Sequence, residues 1–532
     1  MSRSAVSRNS GALVRLLDMP ALFGLAAAAL LLCCFVPLLV LASELWSAAA
    51  FDQLRSTLGA ARSWGLLVAS IVLGLATTLI AVAFGVPLGV LLARSNMIGR
   101  AWALWLHLFP LFLPPFLLAL GWFQLFGRGG LLGSSATSAL LFGPAGVVVT
   151  LALAFTPVVS ALTGLGLMGI DPALEEAAQV VSPPLRVVTR ILLPLAWPSI
   201  AFGALVVFAL SLSEVGVPMF LGVRTYSAAV FTRLGGVQYA PGEAVALVLP
   251  LFALGLVLVA IDRRLLGRRS YAALSMRSRD AAPLDLGRAR VPLSGLAWLA
   301  ALVPLAPLGS LLAAAGPNGL SEGVSWIRSS LATSLLSGVL AASAVVLIAV
   351  LTGHALARQR PFARSFDALA LLAFMTPASV LGVGLIGTWN RPQTQLVYTG
   401  MGILMLGYVA RYAAVGIRTL AAVFSRSSLH YEEAAAAFGA GFARRMLRIV
   451  VPMHARGVAA AWLIVLVFCL RDLDTVVTFY PPGLEPLAVR IFTLEANGPR
   501  AIVAALGVLH VLLTALAVAG AGLVLRGARL RT

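Results

Sequence analysis

The chain alternates long apolar runs with short polar segments, and the length of these runs decides the first structural assignment. One run, LFGLAAAALLLCCFVPLLVLAS (Leu22–Ser43), exceeds the roughly 20 apolar residues that a helix needs to cross a bilayer. Such runs are too long for the strands of a membrane barrel, so helices are the expected spanning form. The pattern predicts an all-α, polytopic membrane protein with about 12 transmembrane helices. They are expected at residues 20–43, 64–93, 101–126, 143–168, 198–222, 243–264, 293–315, 329–357, 366–389, 398–424, 456–481 and 501–526.

Several polar and glycine-containing segments occur twice, in the same order. The stretch LEEAAQVVSPPLRVVTRILLP (Leu174–Pro194) has a counterpart in YEEAAAAFGAGFARRMLRIVVP (Tyr431–Pro452), and we call these segments the first and second EEAA loops. The other repeated segments are GVLLAR (Gly89–Arg94) with GHALAR (Gly353–Arg358), PPFLLALG (Pro114–Gly121) with PASVLGVG (Pro377–Gly384), and the acidic positions Glu214 and Asp472. The repetition predicts an internal duplication whose two six-helix copies run parallel in the membrane.

The duplication divides the chain into five predicted regions. They are an N-terminal tail with the first helix and an outer loop (1–61), a first transmembrane domain (62–268), a basic linker (269–292), the seventh helix with an outer loop (293–328) and a second transmembrane domain (329–532). The basic stretch around the linker, Arg263–Arg290, has few large apolar residues. It suits a structured cytoplasmic patch, a contact with lipid headgroups or a solvated connector.

Composition supports a membrane location, since 60% of the 532 residues are hydrophobic and only 11% are charged. A soluble chain has about 25% charged residues. The net charge of +19 would suit a nucleic-acid-binding protein, but all 38 basic residues are arginine. Most of them fall on one side of the membrane if the N-terminus is inside and the helices alternate, which is the positive-inside bias. We therefore expect no nucleic acid as a partner. We place both termini, the linker and both EEAA loops in the cytoplasm, with Tyr480–Arg500 largely outside.

Both EEAA loops combine helix-start signals with small side chains. In the first loop, Asp171 followed by Pro172 predicts an N-cap with proline at the first helical position. In the second, Gly439 and Gly441 permit a sharp turn before a short helix that ends at Pro452. Such a helix–turn–helix would fit closely against another protein. A solvated surface loop is the simpler explanation, but it does not account for the repetition at equivalent points.

Glu-Ala-Ala, then a glycine after three further residues, then aliphatic–x–aliphatic–Pro resembles the cytoplasmic loop of ABC importer permeases of the binding-protein-dependent type I family. In that family the loop forms a coupling helix that docks into a groove on the ATPase subunit. The second loop matches at every anchor, whereas the first is one residue shorter and has Ser182 and Pro183 where the turn glycine belongs. The coupling residues implied by the resemblance are Glu175, Glu176, Ala177, Ala178 and Pro194 in the first loop, and Glu432, Glu433, Ala434, Ala435, Gly439 and Pro452 in the second.

The resemblance covers nearly the whole chain and implies a tandem-duplicated permease subunit in a bacterial inner membrane. It implies two copies of a separate ATPase, which use ATP, and an extracytoplasmic binding protein as partners, with no cofactor on this chain. The segment YPPGLEPLAVRIFTL (Tyr480–Leu494) resembles part of the fused permeases that import iron(III), thiamine or phosphonates. Iron(III) is the substrate that we expect from this branch, and the other two remain open.

Four ionisable residues fall inside predicted spans: Glu214 in the fifth, and Arg471, Asp472 and Asp474 in the eleventh. A lone charge at the centre of a bilayer costs at least about 2.5–3.5 kcal/mol on insertion scales, so such groups turn inward and pair. One interpretation is that they line the translocation path near the pseudo-twofold axis. The other is that an Arg471–acid pair only holds helices together.

The sequence offers no enzyme active site and no metal-binding motif. A P-loop needs a lysine to reach the nucleotide phosphates, and the chain has none, so ATP hydrolysis is expected on a separate subunit. The five histidines are scattered, and the three cysteines fall in apolar runs without metal-ligand spacing. GLGLMG (Gly164–Gly169) has the glycine spacing of a dinucleotide site, but it ends a membrane helix, where small residues serve helix packing.

Two other functional classes compete with an importer permease. An ion-coupled secondary transporter would work without an ATPase, but inverted repeats and ionisable residues along the path are expected for that class. A membrane-embedded enzyme would need clustered catalytic groups. The parallel repeats and the paired loops favour the permease.

Overall fold

The computed structural model describes residues 20–44, 55–56, 59–235, 241–266, 283–360, 362–425 and 427–526. Within these ranges the chain is helical, and its one β-type pairing is an isolated bridge between Ser95 and Leu284. The helices of the first half are α1 Pro20–Leu30, α2 Val36–Glu44, α3 Ala61–Arg94, α4 Arg100–Leu108, α5 Pro115–Phe126, α6 Ser135–Leu141, α7 Pro144–Met168, α8 Pro172–Val181, α9 Pro184–Val187, α10 Leu193–Ser213, α11 Gly216–Phe220, α12 Tyr226–Gly235 and α13 Pro241–Leu266.

The second half follows a similar order. Its helices are α14 Arg290–Leu302, α15 Ala306–Ala357, α16 Ala363–Met375, α17 Ala378–Trp389, α18 Gln395–Tyr398, α19 Met401–Phe424, α20 His430–Ala437, α21 Phe442–Arg445, α22 Val451–Met453, α23 Ala455–Arg471, α24 Leu487–Glu495 and α25 Arg500–Arg526. Two π-helical turns, Val188–Leu192 and Met446–Val450, lead from the EEAA loops into the next membrane helix at equivalent places. The predicted positions of the two termini lie outside the described residues.

The number of apolar helices agrees with the predicted fold class. Among the described residues, eight helices are long and apolar enough to cross a membrane, and three strongly bent helix pairs raise the number to eleven. One of the eight, Gly287–Ala357, is 71 residues long, far more than a single crossing requires. It is interrupted at Gly316, whose φ of 59° is not helical. Dividing it there gives twelve spans, six in each half, as the sequence predicts for this polytopic helical protein.

Two predicted spans, 101–126 and 366–389, are not continuous helices. The chain bends by 101° between α4 and α5 and by 107° between α16 and α17. Each bend lies at a proline of the repeated PPFLLALG and PASVLGVG segments, and the preceding residues, Leu113 and Thr376, are extended. Proline removes a backbone donor and disfavours helical geometry in the residue before it, so the helices break there. The sequence interpretation missed both bends.

Two other predicted spans, 198–222 and 456–481, extend beyond the ends of the observed helices. Helix α10 ends at Ser213 and α23 ends at Arg471, and Glu214 and Asp472 then adopt extended backbone conformations. Each carboxylate accepts a hydrogen bond from the amide three residues further on, as a capping residue does. The two acidic residues therefore lie just after the helices in which they were expected, and each caps the turn that follows.

The two halves share one core arrangement. Helices α3, α7 and α10 pack on one another in the first half, and α15, α19 and α23 do so in the second. Equivalent glycines permit the closest approaches: a Cβ at Gly89 would lie 2.7 Å from the Ser160 carbonyl oxygen, and one at Gly353 would lie 2.9 Å from the Ile417 carbonyl oxygen. Gly166 is also a packing position, because its Cβ would meet Ser199 at 2.8 Å. The glycines of GLGLMG thus serve helix packing.

The described end of the predicted linker is not an extended solvated connector. The Leu284 amide donates to the Arg94 carbonyl at 2.7 Å, and the Asn96 amide donates to the Leu284 carbonyl at 3.2 Å. The Leu284 side chain is buried, and α14 begins at Arg290, three residues before the predicted start at 293. Residues 267–282 of the linker lie outside the described residues.

Candidate functional site

The first EEAA loop begins with the predicted cap. Helix α8 starts at Pro172, and the Asp171 carboxylate accepts a hydrogen bond from the Ala173 amide at 3.0 Å. The helix ends at Ser182, where the backbone is extended at φ −145°. Pro183 is extended as well, so this loop turns without any residue in the left-handed region.

Within the first loop, Glu175 points into the protein. Its side chain is fully buried, and Oε2 lies 3.4 Å from Nη2 of Arg94, the arginine of the GVLLAR segment. The same Nη2 donates to the Leu167 carbonyl at 2.6 Å, and Gln179 donates to Glu175 at 3.4 Å. Burial raises the pKa of Glu175 above its ordinary value, although the Arg94 charge lowers it in part.

The second loop turns at a glycine, as predicted. Gly439 has a φ of 78°, in the left-handed region. Its amide bonds to the Ala436 carbonyl, and the Ala440 amide bonds to the Ala435 carbonyl, each at 3.0 Å. This pair of bonds is the Schellman pattern that closes the end of a helix. Gly441, by contrast, has an ordinary φ of −63° and does not require glycine.

In the second loop, Glu432 makes the contact that is equivalent to that of Glu175. Its Oε1 accepts hydrogen bonds from Nη2 of Arg358 at 2.6 Å and from Nε at 3.0 Å, and its Oε2 lies 2.9 Å from Nε2 of His354. Arg358 also donates to the Ser427 carbonyl at 3.1 Å. Burial alone would raise the pKa of Glu432, but the hydrogen bonds and charges of His354 and Arg358 outweigh it and bring the pKa to about 2.

The other predicted coupling residues divide into an inward and an outward set. Ala178 is buried and Ala435 is half-buried, whereas Glu176, Ala177, Ala434, Pro194 and Pro452 are exposed and Glu433 is half-buried. Both loops also present large apolar side chains to the outside. Val180 and Val181 are 85% and 79% exposed in the first loop, and Phe438 and Leu447 are 92% and 71% exposed in the second. These apolar side chains, which the sequence analysis did not single out, give each loop an uncovered hydrophobic face.

The predicted intramembrane charges meet where the two halves face each other. A cavity of about 30 Å³, with room for about two water molecules, is lined by Pro114, Glu214, Arg411, Arg471, Asp472 and Asp474 among others. The Asp474 carboxylate accepts a hydrogen bond from the Val215 amide of the other half at 2.9 Å. One oxygen of Asp472, Oδ2, is buried without a hydrogen-bond partner. The chain breaks after α10 and α23 therefore form one charged contact between the halves.

The two arginines that line this cavity donate hydrogen bonds to backbone carbonyls of the bent helices. Arg411 donates from Nη1 to the carbonyls of Phe374 and Thr376, at 2.8 and 2.6 Å, and Arg471 donates to the carbonyl of Leu111. These carbonyls lie at the bends, where proline and the extended residues interrupt the helical hydrogen bonds. Backbone groups freed inside a membrane need such partners.

The Arg471–acid pair considered from the sequence is not among the ion pairs shorter than 4.0 Å that the described residues make. Arg471 instead bonds to the Leu111 carbonyl and lies over the Phe468 ring, 5.5 Å from its centroid. The role of Arg411 was missed, although a single arginine within an apolar run is a signal that could have indicated it.

A second charged contact joins the two halves through residues that do not line the cavity. Arg418 of α19 donates from Nε to Asp367 at 2.9 Å, and its Nη2 lies 3.4 Å from Asp262 of α13. Its guanidinium also stacks 5.0 Å from the centroid of the Phe202 ring of α10. Asp262 and Phe202 belong to the first half, so Arg418 ties the two halves together. This contact was not predicted from the sequence.

In the described part of the chain, no group of three or more His, Cys, Asp or Glu side chains is placed to hold a metal ion.

Comparison with known proteins identifies the family. Residues 85–271 match the family described as binding-protein-dependent transport system inner membrane component. The molybdenum transport system permease protein ModB of Escherichia coli K12 is 30% identical over 208 residues, which are 36% of this chain and 89% of that protein. This chain is thus long enough to contain two permease domains of that size.

Two longer matches come from relatives that carry the designation FbpB. The ferric transport system permease protein FbpB of Actinobacillus pleuropneumoniae is 24% identical over 412 residues, 71% of this chain and 59% of that protein. A relative from Haemophilus influenzae is 24% identical over 414 residues, 71% of this chain and 64% of that protein. The matched part therefore spans less than two thirds of either FbpB protein. Together with the helical fold and the duplication, these matches show that the chain belongs to the binding-protein-dependent inner membrane components, the permeases of type I ABC importers.

Proposed function

We propose that this chain forms the translocation path of an ABC importer and is driven by a separate ATPase that docks on the two EEAA loops. The observation that carries the proposal is the pair of exposed apolar faces on the loops, with Phe438 at 92% and Val180 at 85% exposure. Exposed apolar patches on a folded protein mark interaction sites. Each loop would receive one ATPase subunit, so that two copies bind, and the ATP would be held by those subunits.

The two adjacent glutamates of each loop would have different tasks. Glu175 and Glu432 face inward, so they do not contact a partner, whereas the following residues, Glu176 and Glu433, lie on the outer side. Ala177 and Ala434 are exposed beside them. Small side chains at these positions let a helix enter a groove on the ATPase, and the glutamates that follow the anchors would meet its basic residues.

Iron(III) is the substrate that we propose. Two relatives with long matches carry the FbpB designation, and both are named as ferric transport system permease proteins, that of Haemophilus influenzae as putative. In addition, three carboxylates line the central cavity, while its two arginines are bonded to backbone carbonyls. With room for about two water molecules, the cavity would represent a narrow point of the proposed path. Passage requires the Asp474–Val215 and Arg418–Asp262 contacts to separate.

The proposed orientation places both loops and both termini in the cytoplasm and the binding protein on the opposite face of the inner membrane. The support for this orientation is the arginine distribution. Cysteine introduced at Glu485 should react with an impermeant reagent from outside, and cysteine at Glu433 should not. The native cysteines are buried and do not interfere. The reverse labelling pattern would refute the orientation.

The central experiment purifies the chain from its native membrane and asks whether an ATPase accompanies it. The variant Gly439→Val with Ala435→Trp should release that ATPase or uncouple its ATP hydrolysis from iron(III) uptake, because the turn and the small face are both lost. Gly129→Val is the matched control, since Gly129 has a φ of 79° and, like Gly439, nothing within 4 Å of an added Cβ. It lies between α5 and α6, outside both loops.

Normal uptake by the double variant would rule out the coupling role of the second loop. Uptake driven by a proton gradient, with no ATPase present, would instead identify the chain as a secondary transporter. The experiment therefore separates the two classes that the sequence left in competition.

A further inference from the structure

The repeated segments GVLLAR and GHALAR have no role in the proposal above, yet each ends at the arginine that holds an EEAA loop. Arg94 ends α3 and contacts Glu175, while Arg358 follows α15 and contacts Glu432. The two contacts join the same repeated positions in both halves. The chain has thus kept one Glu–Arg pair twice, while the turn next to it has diverged.

Each arginine is fixed to its own half by more than the glutamate. Arg94 is buried, and it also donates to the Leu167 carbonyl at the end of α7. Arg358 also donates to Ser427, which follows α19. In both halves, therefore, one guanidinium joins a loop, a long membrane helix and the end of the neighbouring helix.

The glycine at the start of each repeated segment adds rigidity to this junction. Gly89 allows α3 to approach α7 so closely that a Cβ would lie 2.7 Å from the Ser160 carbonyl oxygen, and Gly353 brings α15 to α19 in the same way. Helices packed at this distance do not slide independently, because protein interiors are close-packed and transmit strain. A displacement of the arginine thus moves a pair of helices.

From this geometry we infer that Arg94 and Arg358 are positioning residues for energy coupling. Each anchors one EEAA loop to the end of a long helix, so that movement of the ATPase is transmitted through the Glu–Arg pair to α3 with α7, or to α15 with α19. The inference rests on the proposed docking of an ATPase on the loops. It adds the internal link by which the loops act on the path.

Both pairs are shielded from water, and the pair in the second loop is short, at 2.6 Å against 3.4 Å in the first. Both oxygens of Glu432 are bonded, and its side chain is 12% exposed. Removing one partner leaves the other charge buried without compensation, so the loop is expected to detach from the helix end while its outer face is unchanged. Binding of the ATPase and transmission of its movement should therefore be separable.

The test uses the complete complex and does not depend on the identity of the substrate. Spin labels at Phe84 of α3 and Leu347 of α15, both exposed on the membrane helices, report the distance between the halves before and after trapping with ATP and vanadate. In the wild type this distance should change on trapping. In Arg94→Ala, Arg358→Ala and the double variant, the ATPase should still copurify and hydrolyse ATP, but the distance change should be lost.

Two further variants distinguish positioning from general stability. Arg358→Lys keeps a positively charged donor beside Glu432 and should retain the distance change, whereas Arg358→Met, which keeps the bulk of the side chain without its charge, should lose it although the ATPase still copurifies. Arg264→Ala, which removes an exposed arginine at the end of α13, is the control and should behave as the wild type. If the alanine variants fail to insert, the comparison of Arg358→Lys with Arg358→Met decides.

The expected consequence for transport is a rise in the ATP hydrolysed per substrate imported, because hydrolysis continues while its movement no longer reaches the membrane helices. An unchanged distance response in the alanine variants, or an Arg358→Lys variant that is folded and as uncoupled as Arg358→Met, would overturn the inference and leave the proposed function standing. Absence of any ATPase in the wild-type complex would instead overturn the proposed function itself.

Discussion

The two EEAA loops reach equivalent Glu–Arg contacts through different turns. The second loop closes α20 with Gly439 in the left-handed region, whereas the first leaves α8 through the extended residues Ser182 and Pro183. Both nevertheless bring the first glutamate of the motif to an arginine at the end of a long helix. The comparison shows that the Glu–Arg contact is the same in both loops although the turn differs.

The two halves also differ in the side chains that donate hydrogen bonds to the backbone carbonyls at their helix bends. At the second bend, Arg411 donates to two carbonyls and to the Ser213 hydroxyl. At the first bend, Arg471 donates to the Leu111 carbonyl. Both arginines belong to the second half. A bend that is repeated in the backbone is therefore stabilised by side chains that are not repeated.

The largest expected effect concerns this difference between the bends. Arg411→Met leaves the carbonyls of Phe374 and Thr376 without their donor, and each buried unpaired group costs about 1–3 kcal/mol. Arg471→Met leaves one carbonyl, so its loss of stability should be about half as large. Thermal unfolding of the purified variants in detergent measures both, and equal melting temperatures would contradict the comparison.

The next effect concerns the turns. Gly439→Val forces a β-branched residue into the left-handed region, which costs roughly 1–2 kcal/mol, whereas Ser182→Val occupies an extended backbone that valine adopts readily. Retention of the ATPase after purification should fall for Gly439→Val and stay near wild type for Ser182→Val. If the two variants behave alike, the turn difference has no functional weight.

A smaller effect on stability is expected at the acidic residues of the cavity. Glu214→Gln and Asp472→Asn keep an oxygen that can accept from the Val217 and Thr475 amides, so the cost should stay below about 1 kcal/mol. Iron(III) uptake should fall nonetheless, because the carboxylate charge is lost from the path. If uptake and assembly are both unchanged, these side chains neither contribute to the translocation path nor hold the helix bundle together.

The smallest effect separates the two anchors by pH. The pKa of Glu175 is raised and that of Glu432 is about 2, so on acidification from neutral pH Glu175 takes up a proton first. Infrared spectra should show a protonated carboxyl band that disappears in Glu175→Gln and persists in Glu432→Gln at the same pH. A band that depends on Glu432 instead would reverse the assignment.

Local signals in the sequence predicted a large part of this structure. The apolar run lengths indicated the spans, Asp171 and Pro172 predicted the cap of α8, and Gly439 predicted the turn after α20. The functional roles of the loop residues and of the acidic cluster stay predictions. Run length alone could not show that α4–α5 and α16–α17 bend, since the flanking residues remain apolar through the break.

The Glu–Arg contacts of the two EEAA loops were not predicted from the sequence, for a different reason. Arg358 and Glu432 are 74 residues apart, and hydrophobic periodicity carries no information about which distant side chains meet. Their repetition did contain the signal, because an arginine and a glutamate that are both duplicated at matching places are candidates for a pair. The same reasoning fails for Arg411, which has no counterpart in the first half.

The backbone contact between Arg94, Asn96 and Leu284 bears on whether the fused gene is essential. Its hydrogen bonds join a loop of the first half to the residues just before α14, and the covalent connection through residues 267–282 precedes those residues in the chain. A chain divided genetically within that connection would give two polypeptides that still carry both sides of the contact. Fusion then fixes the ratio of the two unlike halves at one to one, and the contact contributes to their alignment.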